Sequence, residues 1–175
     1  MGDPDIYARK KKHYTLGPKA PEKTPHQLQR YLPVTLEQGR AVRMPLFIGD
    51  ALDRALADGE LERVTLGFRV VQTCPEDRLR FRFNGQDLSV AEAQVRTYYG
   101  GIVSYGASRG GLPERINTHY WFHFDLPLSL PREGENEVEV TMEKHFTPLT
   151  ASRVLQSVEL HISYKRPPVP IGGQM

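Results

Sequence analysis

The residues whose types and spacing come nearest to a catalytic arrangement are Gly106-Ala107-Ser108-Arg109-Gly110. The run matches G-x-S-x-G, and Asp125 and His145 follow it in the chain order of α/β-hydrolases. That chemistry needs a serine on a sharp strand-to-helix turn, with its hydroxyl presented to a histidine. Gly111 and Pro113 come directly afterwards, so no long helix can start there. A small serine hydrolase using Ser108 is therefore the least favoured function. The segment Gly100 to Gly111 holds five glycines in twelve residues. A phosphate-cradling loop would end in Gly-Lys-Ser/Thr, and this one contains no lysine. Such glycines instead let a backbone approach a ligand or a neighbouring chain closely.

Aromatic residues gather around this segment: Tyr98, Tyr99, Tyr105, Tyr120 and Trp121. Aromatic faces stack on the C–H groups of sugar rings while neighbouring polar side chains bond the hydroxyls. Tyr120 falls on the buried side of its strand, whereas Trp121 shares the outer face with His123 and Asp125. The candidate ligand-binding set is Tyr99, Tyr105, Arg109 and Trp121. No catalytic residue is assigned.

Metal and cofactor chemistry find little to use. The six histidines form no helical H-x-x-x-H pair. His119 and His123 are four apart on a strand, which separates their Cα atoms by about 13 Å. Cys74 is the single cysteine, so an internal disulfide and a cysteine-built zinc site are both excluded. No metal and no cofactor are expected. Glycoside cleavage needs two carboxyls facing across a cleft. Glu137, Glu139 and Glu143 instead read as the wet face of one strand.

The elements that must position these residues follow from hydrophobic period. Val64, Leu66, Phe68 and Val70 alternate with Thr65, Gly67, Arg69 and Val71; four further stretches, centred on Phe81, Phe122, Val140 and Leu160, do the same. Period two is the mark of half-buried antiparallel strands. Asn84-Gly85 is the favoured dipeptide of a type I′ hairpin turn. Val34 and Leu36, then Val42 and Met44, read as two strands joined at Gln38-Gly39, and Pro33 and Pro45 push them to a sheet edge. Leu52, Ala55 and Leu56 share one face of a short helix with Asp50 as N-cap and Gly59 as C-cap. About eight strands and one short helix predict an all-β, two-sheet antiparallel sandwich, of jelly-roll or galactose-binding-like form.

Residues 1–31 carry seven Lys/Arg against three Asp/Glu, while residues 32–175 carry sixteen against eighteen. The expected organisation is an extended basic arm over 1–30, the sandwich over 31–166 and a tail over 167–175. His13 to Leu16 forms a short strand within the arm. The body has no strong positive field, so nucleic acid is not an expected partner. The stripe of Arg78, Arg80 and Arg82 lacks the interleaved exposed aromatics of a nucleic-acid platform. No apolar run approaches the ~20 residues of a membrane span, and MGDPDIYARKKK has no apolar core of a secretory signal.

Several runs in order add a family likeness: Lys11-Lys-His-Tyr, Tyr31-Leu-Pro-Val-Thr-Leu, Ala51-Leu-Asp-Arg-Ala-Leu-Ala-Asp-Gly-Glu-Leu, Pro75-Glu-Asp-Arg-Leu-Arg-Phe-Arg-Phe-Asn-Gly-Gln-Asp-Leu, Tyr120-Trp-Phe-His-Phe-Asp-Leu-Pro and Asn136-Glu-Val-Glu-Val. Over roughly residues 8 to 165 the chain resembles the C-terminal β-sandwich appended to certain bacterial glycoside-hydrolase-like TIM-barrel proteins. In such proteins the barrel would hold the catalytic carboxylates. The resemblance therefore implies a non-catalytic accessory module of a carbohydrate-active protein, with carbohydrate or a TIM-barrel domain as its partner. The alternative it leaves open is a purely structural domain that packs against a barrel or another copy of itself.

Overall fold

Alternation makes strands, and strands with one apolar face must find a second sheet to cover it. The computed structural model describes residues 11–16, 31–102, 116–148 and 151–165, and within them two antiparallel sheets form this sandwich. In chain order the elements are β1 (Lys11–Leu16), β2 (Val34–Thr35), β3 (Ala41–Ile48), helix α1 (Leu52–Ala57), β4 (Leu61–Val71) and β5 (Arg78–Phe83). There follow β6 (Gln86–Leu88), a single 3-10 turn (Val90–Glu92), β7 (Gln94–Ile102), β8 (Ile116–Leu126), β9 (Gly134–Lys144) and β10 (Val154–Tyr164). One sheet runs β1-β10-β4-β8-β7, with β2 also paired to β10; the other runs β3-β9-β5-β6.

The core lies between them. Val64, Leu66, Phe68, Phe81, Phe122, Val138, Val140, Leu160 and Ile162 are all buried in one cluster, and Leu79 packs against it. Phe81 sits at its centre, with ring centroids 4.6 Å from Phe68, 5.0 Å from Phe122 and 5.2 Å from Phe124. The Asn84-Gly85 turn has positive φ at both residues (48° and 80°) and joins β5 to β6, as a type I′ hairpin requires.

Three local expectations are corrected. Val34 and Ala41–Ile48 do not form a hairpin: β2 pairs with β10 in one sheet, and β3 pairs with β9 at the edge of the other. Pro45 is tolerated because β3 is an edge strand. Asp50 does not cap α1 with its side chain, and Ala51 occupies the N-cap position. The Asp50 carboxylate is instead buried and accepts a 2.6 Å hydrogen bond from the Tyr164 hydroxyl. At the other end of α1, Gly59 (φ 67°) does close the helix: Gly59 N–H donates to Leu56 and Glu60 N–H donates to Ala55, a Schellman motif. Finally, Gly100 and Gly101 lie within β7, whose register breaks between Tyr99 and Ile102.

The short strand within the arm is present as β1, which pairs with β10 from Lys11↔Ser163 to Leu16↔Val158. Tyr14 packs against the core, and burial followed by the Asp50 charge pushes its hydroxyl pKa up. Asp50 thus gathers Tyr14 and Tyr164 from two neighbouring strands.

At the opposite end of β10, the Arg153 and Asp77 side chains are both completely buried. Arg153 Nε and Nη2 donate to the two Asp77 oxygens at 2.8 and 2.9 Å. Arg153 Nη1 donates to His145 Nε2 at 2.7 Å and to the Ala151 carbonyl at 2.6 Å. Asp77 also accepts from Thr73 Oγ1 (2.9 Å), Cys74 N–H (3.1 Å) and Phe146 N–H (2.8 Å). Burial alone would raise the Asp77 pKa; the bonds from Arg153, Phe146, Cys74 and Thr73 outweigh it and hold the carboxyl at about 2. A carboxyl whose pKa is lowered by folding stabilises the fold above its unfolded value and stops doing so as pH falls through its folded value. Urea unfolding of the whole chain is expected to show stability falling between pH about 4 and about 2. Asp77→Asn should lose that acid segment and unfold about 3–5 kcal/mol more easily at pH 7, because Arg153 is left buried without its counter-charge.

Candidate functional site

Strand β8 lies inside its sheet, between β4 and β7. Its inward residues Phe122 and Phe124 enter the core. Alternation therefore turns His119, Trp121, His123 and Asp125 to the outer face. Gly67 of β4 stands directly opposite His123. A Cβ at Gly67 would come within 3.2 Å of His123 Cδ2 and 3.6 Å of Trp121 Cζ3. The missing side chain is thus what leaves room for the His123 ring across β4, whereas the Trp121 edge would be at ordinary van der Waals distance. Trp121 and His123 stack at 5.6 Å between centroids with 17° between planes.

Arg69, opposite Trp121 on β4, completes the platform. Its Cζ lies 5.9 Å from the Trp121 ring centroid, within cation–π range. Its Nη2 is 2.8 Å from His119 Nδ1. A guanidinium has donors only, so Nδ1 accepts and the His119 ring is neutral with its proton on Nε2. Burial lowers the His119 pKa and the Arg69 charge adds to the effect. Burial also lowers the His123 pKa, with Arg96 and His161 contributing in the same direction.

Farther along the face, Arg63 grips Asp125 through two hydrogen bonds of 2.7 and 2.8 Å, and Thr65 Oγ1 adds a third at 2.9 Å. His161 Nε2 lies 3.2 Å from Glu159 on β10. Among the described residues, no group of three or more His, Cys, Asp or Glu is placed to hold a metal ion.

The sequence-predicted residues distribute unevenly over this face. Trp121 occupies its centre. Tyr99 lies in β7 opposite Thr118, one position out of step with the row that pairs Tyr98 with His119. Tyr105, Ser108 and Arg109 lie outside the described residues. Asp125 and His145, the other members of the hydrolase-like order, belong to separate networks, Asp125 with Arg63 and His145 with Arg153. Glu139 is not the wet residue its alternation implies. It is 6% exposed, bonded to Arg43 Nε at 2.6 Å and 3.5 Å from Arg82 Nη1. The stripe of Arg80 and Arg82 is likewise neutralised, with Arg80 bidentate to Asp87 at 2.8 and 2.9 Å. Gly67, Arg69 and Arg96 were missed as site residues because their relevance comes from cross-strand register with Trp121 and His123, which no local pattern encodes.

Fold and face together define a class: an all-β, two-sheet antiparallel sandwich domain carrying a tryptophan platform on the outside of its larger sheet. No known protein family matches the sequence, and no curated protein matches it. Among solved structures the chain is similar to a β-porphyranase of glycoside hydrolase family 86 from the human gut bacterium Bacteroides plebeius, at 14% identity and a TM-score of 0.49. The match covers 89% of this chain and 21% of that one, so this chain spans about a fifth of its length.

Trp121 is the sole tryptophan, so its emission reports the platform directly. Histidines whose pKa is lowered by folding favour the neutral form, and their contribution is complete above about 6.5 and is lost as pH falls below it. A protonated imidazole quenches a stacked indole. Emission is therefore expected to drop on acidification with a midpoint below pH 6.5, and His123→Gln should remove most of that step. A separate check is Gly67→Val, which should displace both rings and shift the emission maximum to the red while the far-ultraviolet dichroism of the sheets is retained.

Proposed function

We propose that this chain is a non-catalytic accessory module of a carbohydrate-active protein, and that it holds a glycan by stacking a sugar ring on Trp121. The observation that carries the reading is the platform itself: a half-buried indole on the outer side of the larger sheet, stacked on His123 with one edge over Gly67. A pyranose presents a patch of C–H groups that such a ring attracts, while hydroxyls at the ring edge take hydrogen bonds from neighbouring polar groups. His123 and Arg69 stand ready beside the indole. Tyr105 and Arg109, in the segment that joins β7 to β8, are proposed as flanking contacts. The likeness to barrel-associated sandwiches supports the same class of function, with chemistry performed by a separate catalytic domain.

A glycan array followed by calorimetry tests this with the whole chain. At least one glycan should bind, Trp121→Ala should weaken it by tenfold or more, a loss of about 1.4 kcal/mol, and Tyr105→Ala should weaken it measurably. Absence of binding to every glycan, together with tight association with a separately expressed barrel, would replace this reading with a purely structural one.

A further inference from the structure

Arg69, Trp121 and Arg96 stand in one row across β4, β8 and β7, each in register with the next. Directly opposed residues on neighbouring strands share a face with Cβ atoms roughly 5 Å apart, so the indole lies between two guanidinium-bearing positions. Elsewhere on the sheets, arginines are matched by acids: Arg43 with Glu139, Arg63 with Asp125, Arg80 and Arg82 with Asp87. This row is different. The side-chain hydrogen bond of Arg69 goes to the neutral His119 ring, and Arg69 Nε is buried without a hydrogen-bond partner among the described residues. Arg96 is exposed, and no carboxylate among the described residues forms an ion pair with it. Of the acids on this face, Asp125 is held by Arg63, and Glu159 stands in the neighbouring row, in register with Gly67 and 3.2 Å from His161.

We infer that the ligand of the Trp121 platform is an anionic polysaccharide, one whose sugar rings bear sulfate esters or carboxylates. The inference rests on the carbohydrate reading and narrows it. Stacking holds the ring, and the flanking guanidinium groups take the anionic substituents on either side, a role that suits their planar fork better than an ammonium. A single-stranded nucleic acid offers the same pairing of rings and anions. It is disfavoured because it carries a charge on every nucleotide and needs a continuous basic track, whereas residues 32–175 hold sixteen Lys/Arg against eighteen Asp/Glu.

The test compares matched probes by calorimetry on the full chain: dextran against dextran sulfate, heparin against desulfated heparin, polygalacturonate against its methyl ester, with oligo-dT alongside. At least one charged polysaccharide should bind tenfold or more tightly than its neutral or less-charged counterpart, with affinity falling as salt rises. Arg69→Gln and Arg96→Gln should each weaken it several-fold without moving the unfolding midpoint, whereas Arg80→Gln on the other sheet should leave it unchanged. Equal affinity for charged and neutral partners would overturn the anionic inference and leave the carbohydrate module standing. So would equal losses from Arg80→Gln and Arg96→Gln, which would mean diffuse charge attraction. Binding to none of the polysaccharides would sink both readings, and preferential binding of oligo-dT would transfer the platform to nucleic acid.

Discussion

The pair of Arg153 and Asp77, with no exposed side-chain surface on either partner, is the constraint on which the two sheets depend. A buried ion pair is tolerable only when its remaining protons and lone pairs are also satisfied. Here they are satisfied by groups from separate stretches of chain: Thr73 and Cys74 after β4, Asp77 before β5, His145 and Phe146 after β9, and Ala151 and Arg153 before β10. β4 and β10 belong to one sheet, β5 and β9 to the other. None of these loops can drift without leaving a charge unpaired in a dry interior, so the pair fixes how the two sheets meet at that end. Hydrophobic burial drives the sheets together but is non-directional; the ion pair supplies the direction.

The same strand is held at its far end by a second buried acid. Asp50 accepts from Tyr164, the last residue of β10, and pulls Tyr14 of β1 into the same cluster. β10 therefore runs between two buried carboxylates and carries β1, β2 and β4 on its edges. β4 in turn presents Gly67 and Arg69 to β8. The geometry of the Trp121 platform is thus set several steps away, because the register of β4 on β10 places the glycine under His123 and the arginine beside the indole. A one-residue slip would reverse every side chain on the strand and put Phe68, not Gly67, beneath the rings.

Strand patterns were legible in the sequence wherever one face is buried and the other wet. The stretches around Val64, Phe81, Phe122, Val140 and Leu160 all alternate, and all are core strands. Local turn chemistry was legible too, at Asn84-Gly85 and Gly59. Failures came where a polar residue's partner is distant in sequence. Asp50 looks like a helix cap because capping is a local pattern; its partner Tyr164 lies 114 residues away. Glu139 looks solvated because its strand alternates, yet arginines of both flanking strands fold over it. Pairing of β2 and β3 with different sheets is invisible for the same reason, since adjacent strands in sequence usually pair. Of the candidate site, Trp121 could be found from alternation alone. Its supports could not, because a glycine and two arginines acquire meaning only through cross-strand register.

The two outer faces differ in a way that bears on function. On the smaller sheet, Arg43, Glu139, Arg82, Asp87 and Arg80 form an alternating ladder of charges that answers itself across strands. Such a face meets water with little net field, although Phe47 of β3 is 58% exposed. On the larger sheet the charges answer one another at Arg63 and Asp125, but not in the row that contains the only tryptophan. Leaving a guanidinium beside a neutral imidazole, with one nitrogen buried and unbonded, is less stable than giving it a carboxylate, and a glutamate in place of His119 would accept from Arg69 at the same position. The fold neutralises arginines on neighbouring strands readily, so the exception is not a limit of the architecture. Among the described residues it leaves positive charge beside a half-buried indole at one place on the larger sheet.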